Sequence, residues 1–227
     1  MSFRVYITWI AACWLLVSGA WAQQNENVPT AYEVVQDATV QVMAVVVEAK
    51  SYVDAEPERY YQAVQAVLDP VIDYRGFARS VMGPYASSER YRSLDEAGRV
   101  QLRGHLDRFT QVMRLGLVRT YSKGLLAFGS SRIEVVQPPA DIVESSRVSV
   151  RQLVYSDEPE PYVVMYQMGR AKTGDWKLRN VIIESVNLGE IYRNQFQAAA
   201  RKHDGDLDSV IDNWSSVEVD PSTPTPI

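Results

Sequence analysis

The chain has 227 residues, 28 of them acidic and 23 basic, for a formal charge of −5 and 46% hydrophobic side chains. An acidic balance argues against nucleic acid as a partner and against standing adsorption to anionic membranes, since both need clustered Lys and Arg. The only cysteine is Cys13, which excludes a disulfide framework and a cysteine-ligated metal.

Residues 1–22 read as a secretory signal peptide. Arg4 supplies a positive start, Val5 to Val17 is almost wholly apolar, and Ala20-Trp21-Ala22 is a small-x-small cleavage site before the polar run Gln23-Gln24-Asn25-Glu26. The apolar stretch is shorter than the roughly 20 residues of a membrane-spanning helix. Ile10-Ala11-Ala12-Cys13 is like a lipoprotein box, but the apolar run continues past Cys13, so cleavage is expected after Ala22. Residues 23–214 then form one domain. Without Arg4, 22 basic residues stand against 28 acids, a charge of −6.

From Pro29 a helix of about 25 residues is predicted, with Ala31, Val34, Val35, Ala38, Val42, Val45, Val46, Ala49 and Val53 on one face. Its valines lower helix propensity, so packing must hold it. Pro57 opens a second helix that Asp69-Pro70 ends. A short helix covers Asp73 to Val81 and stops at Met82-Gly83-Pro84. Ser93 to Glu96 has capping-box spacing for a long helix reaching about Leu126, striped by Leu102, Leu106, Phe109, Met113, Gly116, Leu117 and Thr120. Leu115 and Val118 lie near its opposite side and predict a second contact surface.

After Gly129 the period changes to alternation. Four strands are predicted: Arg132 to Gln137, Arg147 to Tyr155, Tyr162 to Gly169, and Trp176 to Val186. In the second, Val148, Val150 and Val154 alternate with Arg147, Ser149 and Arg151. The third is apolar on both faces and should be central. Lys172-Thr173-Gly174-Asp175 is a hairpin turn. Asn187 and Glu190 cap a helix carrying Leu188, Ile191, Tyr192, Phe196 and Ala199, and Leu207 to Trp214 forms a last one. Residues 215–227 read as a disordered proline-rich tail. The expected fold class is α+β: a twisted antiparallel four-stranded sheet packed by helices.

Titratable clusters that would mark catalysis are thin. His105 and His203 lack partners at metal-ligand spacing and read as surface residues. Lys172-Thr173-Gly174 matches one box of penicillin-binding enzymes, but the mature chain has no Ser-x-x-Lys, so a turn is the better reading. No catalytic residue, metal ligand or cofactor is assigned. The positive signal is apolar excess, which pattern alone leaves divided between a filled core and a ligand cavity. Met82, Met113 and Met165 would suit a cavity that adapts to flexible chains.

Three segments together resemble MlaC, the periplasmic phospholipid-carrier or toluene-tolerance family. They are Asp73-Tyr74-Arg75-Gly76-Phe77-Ala78-Arg79-Ser80-Val81-Met82-Gly83-Pro84-Tyr85, the long helix with Phe109 and the Tyr121 to Leu125 spacing, and Trp176 to Val181 running through Val186-Asn187-Leu188 to Tyr192-Arg193-Asn194-Gln195-Phe196. This chain departs from the family with Asn180 where Asp is frequent, Ser185 where Gly is common, and Pro84 between the glycine and the aromatic. The resemblance implies an apolar lipid cavity between sheet and helices. It also implies transport of a diacyl phospholipid between an outer-membrane lipoprotein complex and an inner-membrane lipid ABC transporter, in the maintenance of lipid asymmetry. The expected lining is Phe77, Val81, Met82, Phe109, Met113, Leu117, Tyr121, Val148, Val150, Tyr162, Val164, Tyr166, Val181 and Ile183, with ordinary core as the competing reading of each. Arg147, Arg151 and Lys172 are candidates for headgroup or partner contact, against a plain solvated face. Two other readings stay open: an NTF2-like pocket enzyme of the isomerase or dehydratase type, and an envelope scaffold with a solid core.

Overall fold

A computed structural model describes residues 28–139, 145–156 and 159–214. The expected signal peptide, Cys13 and the tail from residue 215 lie outside them. Thr30 caps helix α1 (Ala31–Ala49) in a reciprocal box with Glu33. The helix ends at Ala49 rather than near Val53, because Tyr52 and Val53 leave the helical path to pack beneath α2 (Pro57–Leu68). Asp73 caps α3 (Tyr74–Met82), which gives way to a 3-10 turn over Gly83–Ala86.

A short α4 (Ser88–Ser93), not anticipated, precedes α5 (Glu96–Ala127). The cap of α5 is Asp95, whose carboxylate accepts from Gly98 N at 2.8 Å, not Ser93, whose hydroxyl turns back to Arg90 O. At 32 residues α5 is about 48 Å long. On its second contact surface Val118 and Ser122 are buried, with Ser122 O reached from α2 by the Tyr60 hydroxyl; Leu115 is exposed. His105 is also not a surface residue: its side chain is 12% exposed and sits 3.2 Å from Asp208 of α7 (Leu207–Asp212).

The sheet is an antiparallel meander of five strands, β1 (Arg132–Val135), β2 (Arg147–Tyr155), β3 (Tyr162–Arg170), β4 (Trp176–Ile183) and β5 (Val186–Asn187), in that spatial order. The expected fourth strand, Trp176 to Val186, is therefore two. Glu184 takes φ +54° and reverses the chain, so Ile183 pairs with Val186. Continuous apolar spacing concealed that two-residue turn. The strand β3 lies centrally, as its two apolar faces required. Asn187 caps α6 (Leu188–Lys202) by accepting from Glu190 N.

Directly opposite residues of antiparallel strands share a face. The pairs Val150–Tyr166–Val181 and Gln152–Val164–Ile183 therefore mark one face, and a bulge at Gln167/Met168 keeps Val148, Met168 and Leu178 on it. This inner face meets two apolar clusters. One, with α3, α5, α6 and α7, contains Phe77, Val81, Met82, Phe109, Met113, Tyr192 and Phe196. The other joins α1 to the sheet through Ala31, Val35, Val150, Met168 and Trp176.

Candidate functional site

The inner face of the sheet, where the two clusters meet, gathers most of the expected lining. Phe77, Val81, Met82, Phe109 and Met113 are there as packed core, at 0–7% exposure, with Phe109 edge-on to Phe196 at 4.9 Å and to Trp214 at 5.0 Å. Val150 is buried in the second cluster. The other eight, Leu117, Tyr121, Val148, Tyr162, Val164, Tyr166, Val181 and Ile183, are only half-buried. Leu117, Tyr121, Val181 and Ile183 lean on the first cluster, Val148 and Tyr166 on the second, and Tyr162 stacks edge-on with Phe128.

Tyr166 shows what kind of place this is. It lies on the inner face of the sheet, where burial pushes its phenol well above the ordinary tyrosine range. Yet the ring keeps accessible surface. Such half-buried residues edge the packed core rather than fill it. Tyr121 has the same combination: its phenol is raised by burial first and by Tyr192 second, and the ring is half-buried. The strip from Tyr121 and Leu117 of α5 across Val181, Ile183, Val164 and Tyr166 is thus an apolar seam between helix and sheet.

Polar groups along the seam are linked in series. Tyr166 Oη donates to Gln152 Oε1 at 2.9 Å, Gln152 Nε2 donates to Thr39 Oγ1 at 2.7 Å, and Thr39 Oγ1 donates to Val35 O at 2.8 Å. This chain ties α1 to the two central strands. Gln152, 4% exposed, went unnoticed in the sequence, where it is one polar residue in an alternating strand. Tyr121 and Tyr192 hydroxyls lie 3.4 Å apart.

The motif segments hold the frame around the seam. Asp73 Oδ1 accepts from Gly76 N at 2.9 Å, and the same carboxylate pairs with Arg179. Asn180 Nδ2 donates to Gln167 Oε1 at 3.0 Å and to Asn187 Oδ1 at 2.8 Å, while its own Oδ1 accepts from Gly189 N at 2.9 Å. An amide can donate to two acceptors where an ionised carboxylate cannot. The departure from Asp at this position is therefore a latch between β3, β4 and the start of α6.

The basic candidates lie elsewhere. Arg147 and Arg151 are exposed on the outer face of the sheet, opposite Val150, and Lys172 is exposed in the β3–β4 hairpin. Arg147 lines a polar groove of about 830 Å³ together with Ser149, Gln167, Arg179, Asn180 and Arg193. A smaller cleft of about 260 Å³ separates the start of α1 from Pro70, Val71 and Trp176. No helix of the described residues is long and apolar enough to cross a membrane.

Comparison with known proteins agrees with this architecture. The chain is 29% identical over 186 residues to the toluene tolerance protein ttg2D of Pseudomonas putida, covering 82% of this chain and 80% of that one. It superposes with a TM-score of 0.66, at 20% identity, on a phospholipid-binding protein from Ralstonia solanacearum solved in complex with a phospholipid, over 81% of this chain and 94% of that one. The description MlaC protein matches residues 36–216, from α1 to just past α7, so the chain belongs to the MlaC protein family.

Proposed function

We propose that this chain is a periplasmic phospholipid carrier that shelters acyl chains in the apolar seam between α5 and the inner face of the sheet. The carrying observation is the strip of half-buried apolar side chains around Tyr166 on the inner face of the sheet. The relative solved with a bound phospholipid and the shared family support the same reading. The physical need is plain. Two acyl chains carry roughly 30 methylenes, and at about 0.8 kcal/mol each their exposure to water costs on the order of 20 kcal/mol. A carrier must offset most of that while still releasing its cargo to the outer-membrane lipoprotein complex and the inner-membrane ABC transporter proposed as its partners.

Six of the expected lining residues, Val150 among them, are buried, so we take the half-buried set as the lining proper. Lipid entry then requires the seam to widen, with Phe109 and Met113 as its rigid floor. A pocket enzyme would instead hold a carboxylate or histidine of raised pKa in the interior. Among the described residues, the carboxylates with a resolved shift are Glu33, Asp206 and Asp208, all lowered by hydrogen bonds and all at the surface.

The test is native mass spectrometry of the mature protein isolated from its own envelope, followed by lipid extraction. Stoichiometric diacyl phospholipid is expected, and protein recovered without lipid would refute the proposal. Val164→Trp and Val181→Trp should fold and lose at least ten-fold in lipid content. Full loading of both variants would move the binding site away from the seam.

A further inference from the structure

The outer face of the sheet carries a second, chemically different surface. On it Leu153 pairs with Val163 and Met165 with Ile182, four half-buried apolar side chains that join none of the apolar clusters formed by the described residues. The two-sided apolarity of β3 is thus satisfied on one side only. Toward the other end of the same face, where the sheet meets α3 and α6, the surface turns polar and basic. Ser149, Gln167 and Asn180 form the floor of the groove, and Arg147, Arg179 and Arg193 stand along it on β2, β4 and α6.

These arginines sit on different elements. Neighbouring strands are about 4.8 Å apart, so Arg147 and Arg179 are separated by roughly 10 Å before Arg193 extends the row. Arg179 is paired with Asp73, and Glu190 lies in the wall. Among the described residues Arg193 meets neutral groups of Ser80, donating to its carbonyl at 3.0 Å and its hydroxyl at 2.9 Å. Arg151 is exposed on the same face, further along β2. The mature chain as a whole is acidic, so this is a local reversal of its charge.

We infer that the outer face of the sheet, with the Arg147–Arg179–Arg193 groove and the adjoining Leu153, Val163, Met165 and Ile182 patch, docks an acidic, partly apolar segment of a protein partner. This goes beyond lipid carriage: it assigns a protein partner to a groove whose floor is the outer face of the sheet and whose wall, with Phe77, Val148 and Met168, reaches the helices of the inner side. A row of guanidiniums fits several spaced carboxylates better than one small anion, which needs a tight cradle. A concave groove also fits a peptide segment better than a bilayer, and the overall negative charge of the chain opposes approach to an anionic membrane.

The test uses the full mature protein and a fluorescein-labelled ten-residue peptide rich in Asp and Glu with two leucines. The control is the same peptide with Asn and Gln in place of the acids. Fluorescence anisotropy should show at least ten-fold tighter binding of the acidic peptide, weakening with added salt. Arg147→Glu should lose ten-fold or more, and Arg201→Glu, on the last turn of α6, should not. Ser149→Asp on the exposed groove floor serves if the first variant fails to fold. Lipid content by native mass spectrometry should be equal in Arg147→Glu and the parent, so this test and that of the lipid proposal fail separately. Equal binding of both peptides, or no loss in either groove variant, would overturn the inference. So would full competition by millimolar inorganic phosphate, which would mark a small-anion site. Arg147-dependent capture of phosphatidylglycerol vesicles without peptide binding would assign the face to a membrane instead.

Discussion

Gly76 sits where three constraints meet. It is the first-turn amide that Asp73 caps, it faces the Asp73–Arg179 ion pair, and it leads directly into Phe77 of the core. A methyl group there would fall against the Asp73 carboxylate and within 2.8 Å of an Arg179 guanidinium nitrogen. Gly76→Ala is therefore expected to lower stability by about 2 kcal/mol, the order found for overpacked sites, as read from urea unfolding. A change under about 0.5 kcal/mol would mean that the pair can move aside. Asn180 teaches a related lesson at the same scale. Its identity follows from three hydrogen bonds to partners on β3, β5 and α6, none adjacent to it in sequence.

At the scale of elements, α5 is the axis on which the others are hung. Its surface is joined to α3 by Arg75–Asp107, to α2 by Arg119–Glu58 at 2.9 Å, and to the end of α2 by Arg114–Asp69, with Arg108 reaching both Asp208 and Asp212 of α7. Exposed pairs of this kind contribute little individually. The buried link is Tyr60, 0% exposed, whose hydroxyl donates to Ser122 O at 2.8 Å and pins α2 to α5. Tyr60→Phe should cost about 1 kcal/mol at neutral pH. Burial, followed by Tyr61 and Tyr52, pushes the Tyr60 phenol up to about 12. The folded state thus holds the proton more tightly than the unfolded chain, where a tyrosine ionises near pH 10. The stabilisation is complete below pH 10 and is lost between pH 10 and about 12. Urea midpoints measured across that window should fall less steeply for Tyr60→Phe than for the parent. Identical slopes would show that the hydroxyl is already in water.

At the scale of the whole molecule, the proposed lipid site has a thermodynamic consequence. A ligand that binds only the folded state stabilises it by mass action, by about 2.7 kcal/mol at a hundred times its Kd. For a domain of this size 1 kcal/mol moves Tm by roughly 2–4 °C. Delipidated protein should therefore melt about 5–10 °C below the lipid-loaded form. An equal Tm would show that lipid, if present, lies on the surface rather than within the seam.

Local periodicity and capping chemistry determined the elements of this protein. The helical spacing from Leu102 to Met113, the strict alternation of β2 and the Asn187 cap are decided by neighbours within a few residues, and all three appear in the structure as read. The sequence also carried the family resemblance, because its motif residues are contiguous. Tertiary structure alone decided the rest. The reversal at Glu184 rests on a pairing of Ile183 with Val186 that alternation cannot distinguish from one long strand. Whether an apolar residue fills or lines the interior depends on what stands across from it. Phe109 meets Phe196 and Trp214 and is packed solid, whereas Tyr166, on an equally apolar strand, is left half-buried. The outer groove has the same origin, since Arg147, Arg179 and Arg193 converge only because β2, β4 and α6 are brought together by folding.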